Sequence, residues 1–434
     1  MALLCGVLQD PARKLTPGTP VILTLSVVAV YAVILFGASG SLQGHGREFS
    51  RRFGTIYGAI GLVFGALVLA AMRGMFTYGL SGWKAPAMSF FLYCAPVPAV
   101  LLGYAYLHRE ENLYTLFRFY AVITSVALIG TPLEYMKVDS RALGTVALTE
   151  LNIRHLPGIQ IRMLSGFYRA PDIMAWHAAT LTIIATIMIL RAPVILRAWP
   201  WMLAAAWGFF NCLLSGRRKA VYMVGVFVLV FLWRYFRRLT AVHFIAMVFV
   251  FAAIAGVMHK ISGDEESSVY AAGASTTRKE VMQRLEGGLV ETIAQFGLLG
   301  AGLGTATQGV QHVAGAENIG WQEGGLGKLA MELGVPGLIA VLILVIAMFR
   351  VMLAIARHPD VPGSSQFTRC VLFAIVVANG VEFMVSAQAY SDAVLALLTA
   401  FFLGCLFATA VLDERLPVSA PAPAPARLTA PATA

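Results

Sequence analysis

Apolar runs recur along almost the whole chain, each close to the length that crosses a bilayer, and short polar segments separate them. A helix needs about 20 such residues to span the hydrocarbon core. The runs are continuous rather than alternating, which excludes a transmembrane barrel. They predict about eleven spans, within a range of about ten to twelve: Pro20–Phe36, Ile56–Met72, Ala87–Leu107, Leu113–Leu133, Ile173–Leu190, Trp199–Leu214, Ala220–Trp233, Ala241–Met258, Val335–Ala354, Cys370–Phe383 and Ala393–Leu412. The expected fold is an all-α, polytopic integral membrane protein.

One long, mostly polar interval breaks this pattern, from Met258 to Gly334. Within it Thr277 and Glu280 have capping-box spacing. Val281, Leu285, Leu289, Ile293 and Phe296 then recur every three or four residues, which predicts an amphipathic helix lying along the membrane surface. Gly297–Gly304, GLLGAGLG, follows without a preceding strand, so a nucleotide-binding reading fails on context and a tight turn or close helix packing is expected. Residues 1–416 are read as one membrane-embedded domain carrying this large loop (258–334), and the Pro/Ala-rich tail 417–434 as disordered.

Composition sharpens the class. Of 434 residues, 59% are hydrophobic and 12% charged, about half the charge of a soluble domain. The net charge of +10 sits largely in loops between spans, which favours membrane lipid head groups over nucleic acid as partners. None of the five cysteines has a CxxC or Cys/His partner, so neither a disulfide framework nor zinc is supported. MALLCGVL is too short for a signal-peptide core, and no cleavable leader is expected.

Short-loop charge orients the chain. The basic segments Arg234–Arg238 and Arg357–Arg369 are expected in the cytoplasm, and Met384–Asp392, without Lys or Arg, outside. Counting spans places Met258–Gly334, Met136–Asp172 and the N-terminus outside as well. Ser215–Ala220, SGRRKA, then breaks the positive-inside rule. Either one span is miscounted, or these charges are kept outside to hold an anion.

Three arginine clusters fall on that outer side: Arg154, Arg162 and Arg169; Arg217 and Arg218 with Lys219; and Arg278 and Arg284 with Lys279. Guanidinium groups pair with phosphate oxygens in a bidentate manner and stay charged at any pH. Their shared side suggests one convergent anion site. Glu323, at the start of a helix leading into the ninth span, is a candidate proton acceptor for a hydroxyl, and His312 a second. Glu134, His177, Asn379 and Glu382 lie in or at the ends of spans, and Glu382 is read as an arginine partner in preference to a substrate contact.

In the order of these features the chain resembles the O-antigen ligase and O-antigen polymerase superfamily, over roughly Arg162 to Leu338. RMLSGFYRAPDIMAW is similar to the family's Arg…Gly-Phe…Pro segment, matching Arg162 with Arg169 nearby. LLSGRRKAVYM matches the Ser-Arg-Gly-Ala segment at Arg218, and RLEGGLVETIAQFGLLGAGLG the arginine-led helix at Arg284. EGGLGKLAMELGVPGL corresponds to the segment that begins His-Asn in ligases; here Glu323-Gly324 stands in that place. The resemblance therefore implies a carboxylate base, and a polymerase rather than a ligase.

What it implies further is inverting, metal-independent and cofactor-free glycosyl transfer between undecaprenyl-diphosphate-linked glycans at the periplasmic face of a bacterial inner membrane. Arg162, Arg169, Arg217, Arg218, Arg278 and Arg284 would hold the diphosphate, and Glu323 or His312 would deprotonate the acceptor. Other polysaccharide assembly and export proteins are the implied partners, with no role for nucleic acid. The alternatives are a ligase that moves glycan to a lipid or protein acceptor, and a transporter or flippase for an anionic lipid-linked glycan.

Overall fold

The computed structural model describes residues 1–20, 23, 26–79, 82–146, 153–156, 159–235, 288–307, 322, 324–357, 365–387 and 389–414. Their helices are α1 (Ala2–Leu15), α2 (Ser26–Arg52), α3 (Gly54–Tyr78), α4 (Lys84–Cys94), α5 (Pro96–Tyr106), α6 (Glu110–Ala127), α7 (Gly130–Tyr135), α8 (Pro171–Arg191), α9 (Ile195–Leu214) and α10 (Arg218–Tyr235). Helical residues 288–296 form α11. After it come α12 (Gly325–Arg357), α13 (Gln366–Val385) and α14 (Ala393–Glu414). Eight helices among the described residues are long and apolar enough to cross a membrane, counting α4–α5 and α6–α7 each as one. The chain is thus a predominantly helical, multi-pass membrane protein.

Several predicted spans reappear with altered ends. The third is split at Ala95–Pro96, because Pro96 has no N–H to continue the ladder. The first runs on as α2 to Arg52, well past its apolar stretch, since Phe49 and the following Phe53 pack on Tyr104 and Phe407. The sixth and seventh reappear as α9 and α10, which fall outside the eight. The eighth, Ala241–Met258, and the tail beyond residue 414 lie outside the described residues.

Two elements lie outside the predicted spans. Residues 2–15 form α1, and it is turned inside out relative to a soluble helix. Gln9, Asp10, Arg13 and Lys14 are buried while Leu4, Leu8 and Leu15 are exposed. Between α7 and α8, β1 (Ile153–Leu156) and β2 (Ile159–Arg162) pair antiparallel, with Ile153 opposite Arg162 and Leu156 opposite Ile159. The turn dipeptide Pro157-Gly158, between two short runs of which Ile159–Arg162 alternates, is the sequence signal for such a hairpin.

The core is built around α8, which is buried along nearly its full length, with α9, α10 and α6 packed against it and α13 joined to it through α10 and α14. Close approach is set by glycine where α5 crosses α14. A Cβ on Gly404 would stand 1.9 Å from the Val100 carbonyl oxygen, and one on Gly103 2.0 Å from that of Phe401.

α12 is broken at Gly334, whose φ of 67° is open to glycine, and Pro336 follows. The backbone groups freed at the break are taken up by the segment after α11. Val335 N–H donates to the Leu298 carbonyl (2.8 Å), and Ala301 N–H to that of Met331 (2.7 Å). Leu303 N–H bonds Ala70 O of α3 (2.9 Å), so residues 297–303 are wedged between α3 and α12. Gly302 shows why the sequence there is glycine-rich: its φ is 101°, and a Cβ would stand 2.3 Å from Gly74 N. The expected turn with close packing is what residues 297–304 form.

Candidate functional site

The loops sort into two ends of the bundle. At one end Arg234 donates to the Ala356 carbonyl, Arg191 stacks on Tyr114 (3.4 Å to the ring centre), and Tyr114 shares a hydrogen bond with Thr368 (2.8 Å). The other end collects α1, the segment before α8, the turn before α10 and the 386–392 segment. SGRRKA and Met384–Asp392 therefore share an end.

Arg169 lies in a clasp that joins three distant segments. Its Nη1 bonds Asp10 Oδ1 of α1 (3.1 Å), its backbone N–H donates to Asp10 Oδ2 (3.0 Å), and Nη2 pairs with Asp392. Asp392 in turn accepts the Val394 N–H (2.8 Å) in the first turn of α14. Burial alone would lower the Arg169 pKa, but the two carboxylates outweigh it and hold the guanidinium firmly charged.

Beside the clasp, Lys14 Nζ donates to the carbonyls of Gly166 (2.8 Å) and Tyr168 (2.7 Å). Glu134 Oε2 accepts the N–H groups of Ser165 (2.9 Å) and Gly166 (2.7 Å). Burial lowers the Lys14 pKa to about 8, against the pull of Asp10 and Glu134. The segment leading into α8 is thus pinned from both sides by buried charge. Below it His177 is stacked against Tyr168 and Tyr120, with Nδ1 2.8 Å from the Tyr120 hydroxyl. That is a packed core position.

Next to this frame is a small polar cleft, with enclosed room for about one water molecule, lined by Asp172, Trp176, Arg217, Lys219, Glu382 and Ala389. Arg217 enters from the turn before α10 and pairs with Asp172 in the first turn of α8 (Nη2 to Oδ2, 2.8 Å). Lys219 comes from the first turn of α10 and Glu382 from the last turn of α13. The floor is held by Asn379, whose Oδ1 accepts from Trp176 Nε1 (2.9 Å), Tyr390 OH (2.9 Å) and Thr399 Oγ1 (3.1 Å), while Nδ2 donates to Ile375 O (2.9 Å). With its amide this fully engaged, Asn379 fixes the helical turn that carries Glu382.

Of the residues singled out from sequence, Arg169 and Arg217 lie at this end, and both are held by carboxylates. Arg218 opens α10 and Arg162 closes β2, but their side chains are outside the description. Arg278, Arg284, His312 and Glu323 lie outside the described residues. Residues near Glu323 are placed: Gln322 donates to Thr292 of α11 (2.9 Å), and a Cβ on Gly325 would meet Phe383 O of α13 at 2.6 Å. The residues flanking Glu323 therefore meet α11 on one side and the Glu382 turn of α13 on the other.

Sequence reading missed Asp10, Asp172 and Asp392, the partners that fix the arginines. Their signals were local: Asp172 follows Pro171 at a helix start, and Asp392 precedes an apolar run as an N-cap would. Glu332 belongs to a separate buried network. Its carboxylate accepts from Tyr93 OH (2.6 Å) and Thr307 Oγ1 (2.7 Å) and ties residues 306–307 to α4 and α12. Among the described residues no three His, Cys, Asp or Glu side chains converge as metal ligands would. No protein-family model matches this chain, and comparison with curated proteins returns no relative.

Proposed function

We propose that this protein is a membrane glycosyltransferase that extends a polysaccharide from lipid-diphosphate-linked glycan units. It works at the periplasmic face of a bacterial inner membrane, on the undecaprenyl-diphosphate donor that the family resemblance implies. The observation that supports this reading is the cleft in which Arg217 and Lys219 enter a partly buried space at a membrane-edge helix end, beside the segments that flank Glu323. Fixed cations in a partly dry site stabilise the charge that grows on a departing diphosphate, and they cost no reorganisation as the bond breaks. Arg218 stands between Arg217 and Lys219 in sequence and belongs to the same anion site, with Arg162, Arg278 and Arg284 as further diphosphate ligands. Arg169 serves as the buried pin that holds the α8 entrance in place. In this reading the chain crosses the membrane about eleven times and carries the 258–334 loop on the periplasmic side.

The test uses purified full-length protein in nanodiscs with an undecaprenyl-diphosphate-linked oligosaccharide as both donor and acceptor. The expected result is glycan of higher mass with release of undecaprenyl diphosphate, slowed by roughly two to three orders of magnitude in Arg218→Ala. Donor binding without product would instead make the protein a carrier.

A further inference from the structure

We infer that Glu382 is the proton acceptor for the attacking hydroxyl in this cleft. The inference rests on the glycosyl-transfer reading and adds the identity of its base.

Two carboxylates line the cleft, and their surroundings divide the work. Asp172 is bonded to Arg217 at 2.8 Å and sits in the first turn of α8, where the helix dipole supports negative charge. It is committed as a counter-ion. Glu382 sits in the last turn of α13, against the negative end of that helix, where the dipole opposes its charge. The residue is only 7% exposed, yet it lines the same cleft as Arg217 and Lys219. A carboxylate in that setting suits proton uptake better than permanent pairing.

The turn that carries Glu382 is also rigid. Asn379, one turn earlier, is bound to α8, α14 and the 389–391 turn through Trp176, Thr399 and Tyr390. A base held this firmly does not have to be ordered at the moment of reaction.

In the step itself, a hydroxyl oxygen of the acceptor glycan forms a bond to the anomeric carbon of the donor. The bond from that carbon to the diphosphate breaks, and its electron pair leaves on the diphosphate oxygen, facing the cations. The hydroxyl proton passes to Glu382, and from there to the released diphosphate or to water. Nothing beyond the two glycans is consumed.

The experiment compares wild type, Glu382→Gln, Glu382→Asp and Glu382→Ala as full-length proteins in nanodiscs. Donor binding is measured with a labelled undecaprenyl-diphosphate oligosaccharide, and transfer in single-turnover mode. Glu382→Gln should bind donor within about threefold of wild type while transfer slows by about 100-fold or more. Formate should restore part of the transfer to Glu382→Ala, which a merely structural carboxylate would not allow. Near-normal transfer by Glu382→Gln overturns the assignment. So does a loss of donor binding that parallels the loss of transfer, and so does failure of formate rescue if Glu382→Gln does not fold. A wild-type protein that binds donor and never extends it would sink the transferase reading itself, a different outcome from an active wild type with an active Glu382→Gln.

Discussion

At the scale of single residues, this protein buries charge and then satisfies it. Asp10, Lys14, Glu134, Arg169, Glu332 and Asp392 are largely withdrawn from solvent, and each has a partner at hydrogen-bond distance. Removing one member of such a pair leaves the other stranded, which costs far more than the pair contributes. Lys14 gives a test by pH. Its pKa falls from 10.5 to about 8 on folding, so between those values the unfolded chain binds more protons and stability rises with pH. In Lys14→Met that gain is missing. The difference in unfolding free energy between wild type and variant, measured in detergent, should widen by roughly 3 kcal/mol from pH 8 to pH 10.5. A constant difference would mean that Lys14 does not titrate there. The arginines were visible in the sequence as isolated cations. Their partners were not, because Asp10, Arg169 and Asp392 meet only through tertiary structure.

At the scale of elements, the broken helix α12 and the glycine-rich segment before it make one unit. A proline and a left-handed glycine in an apolar run leave backbone groups that lipid does not satisfy, and residues 298–301 supply the missing partners. Gly302→Ala forces a Cβ into Gly74 N at 2.3 Å, and it should lower stability by at least about 2 kcal/mol. Gly297→Ala, at φ 73° with open space around it, should cost about 1 kcal/mol from backbone strain alone. Equal losses in chemical unfolding would show that the wedge against α3 is not tight. The positions of eight spans were legible, because twenty apolar residues in a row have few alternatives. α1 was not, since its polar face turns inward and its leucines outward, the reverse of what amphipathic patterns teach. The hairpin was overlooked inside a segment read only for its arginines.

At the scale of the molecule, the two ends differ in kind. One gathers the clasp, the cleft and the glycine wedge; the other carries Arg191, Arg234 and Arg357 at helix ends. If the cleft faces the periplasm as proposed, Ser140→Cys at its end should react with a membrane-impermeant maleimide on spheroplasts. Arg109→Cys, exposed at the opposite end, should react only after permeabilisation. The reverse pattern would turn the protein over and move the site to the cytoplasm. The anomalous SGRRKA loop was the clearest sequence pointer to the cleft. What the sequence left hidden was the meeting of α8, α10 and α13, which depends on three separate helix ends arriving at one depth.

The Arg169 clasp also bears on how the chain is made. In chain order Asp10 and Arg169 are both made before Asp392, which arrives only with the last described helix. Until then the guanidinium has one carboxylate where the finished protein gives it two, and the α8 entrance is half fastened. A chain that stalls or is truncated before residue 392 therefore carries an under-neutralised arginine at the edge of its core. That is the sort of flaw by which membrane proteases tell an unfinished protein from a complete one.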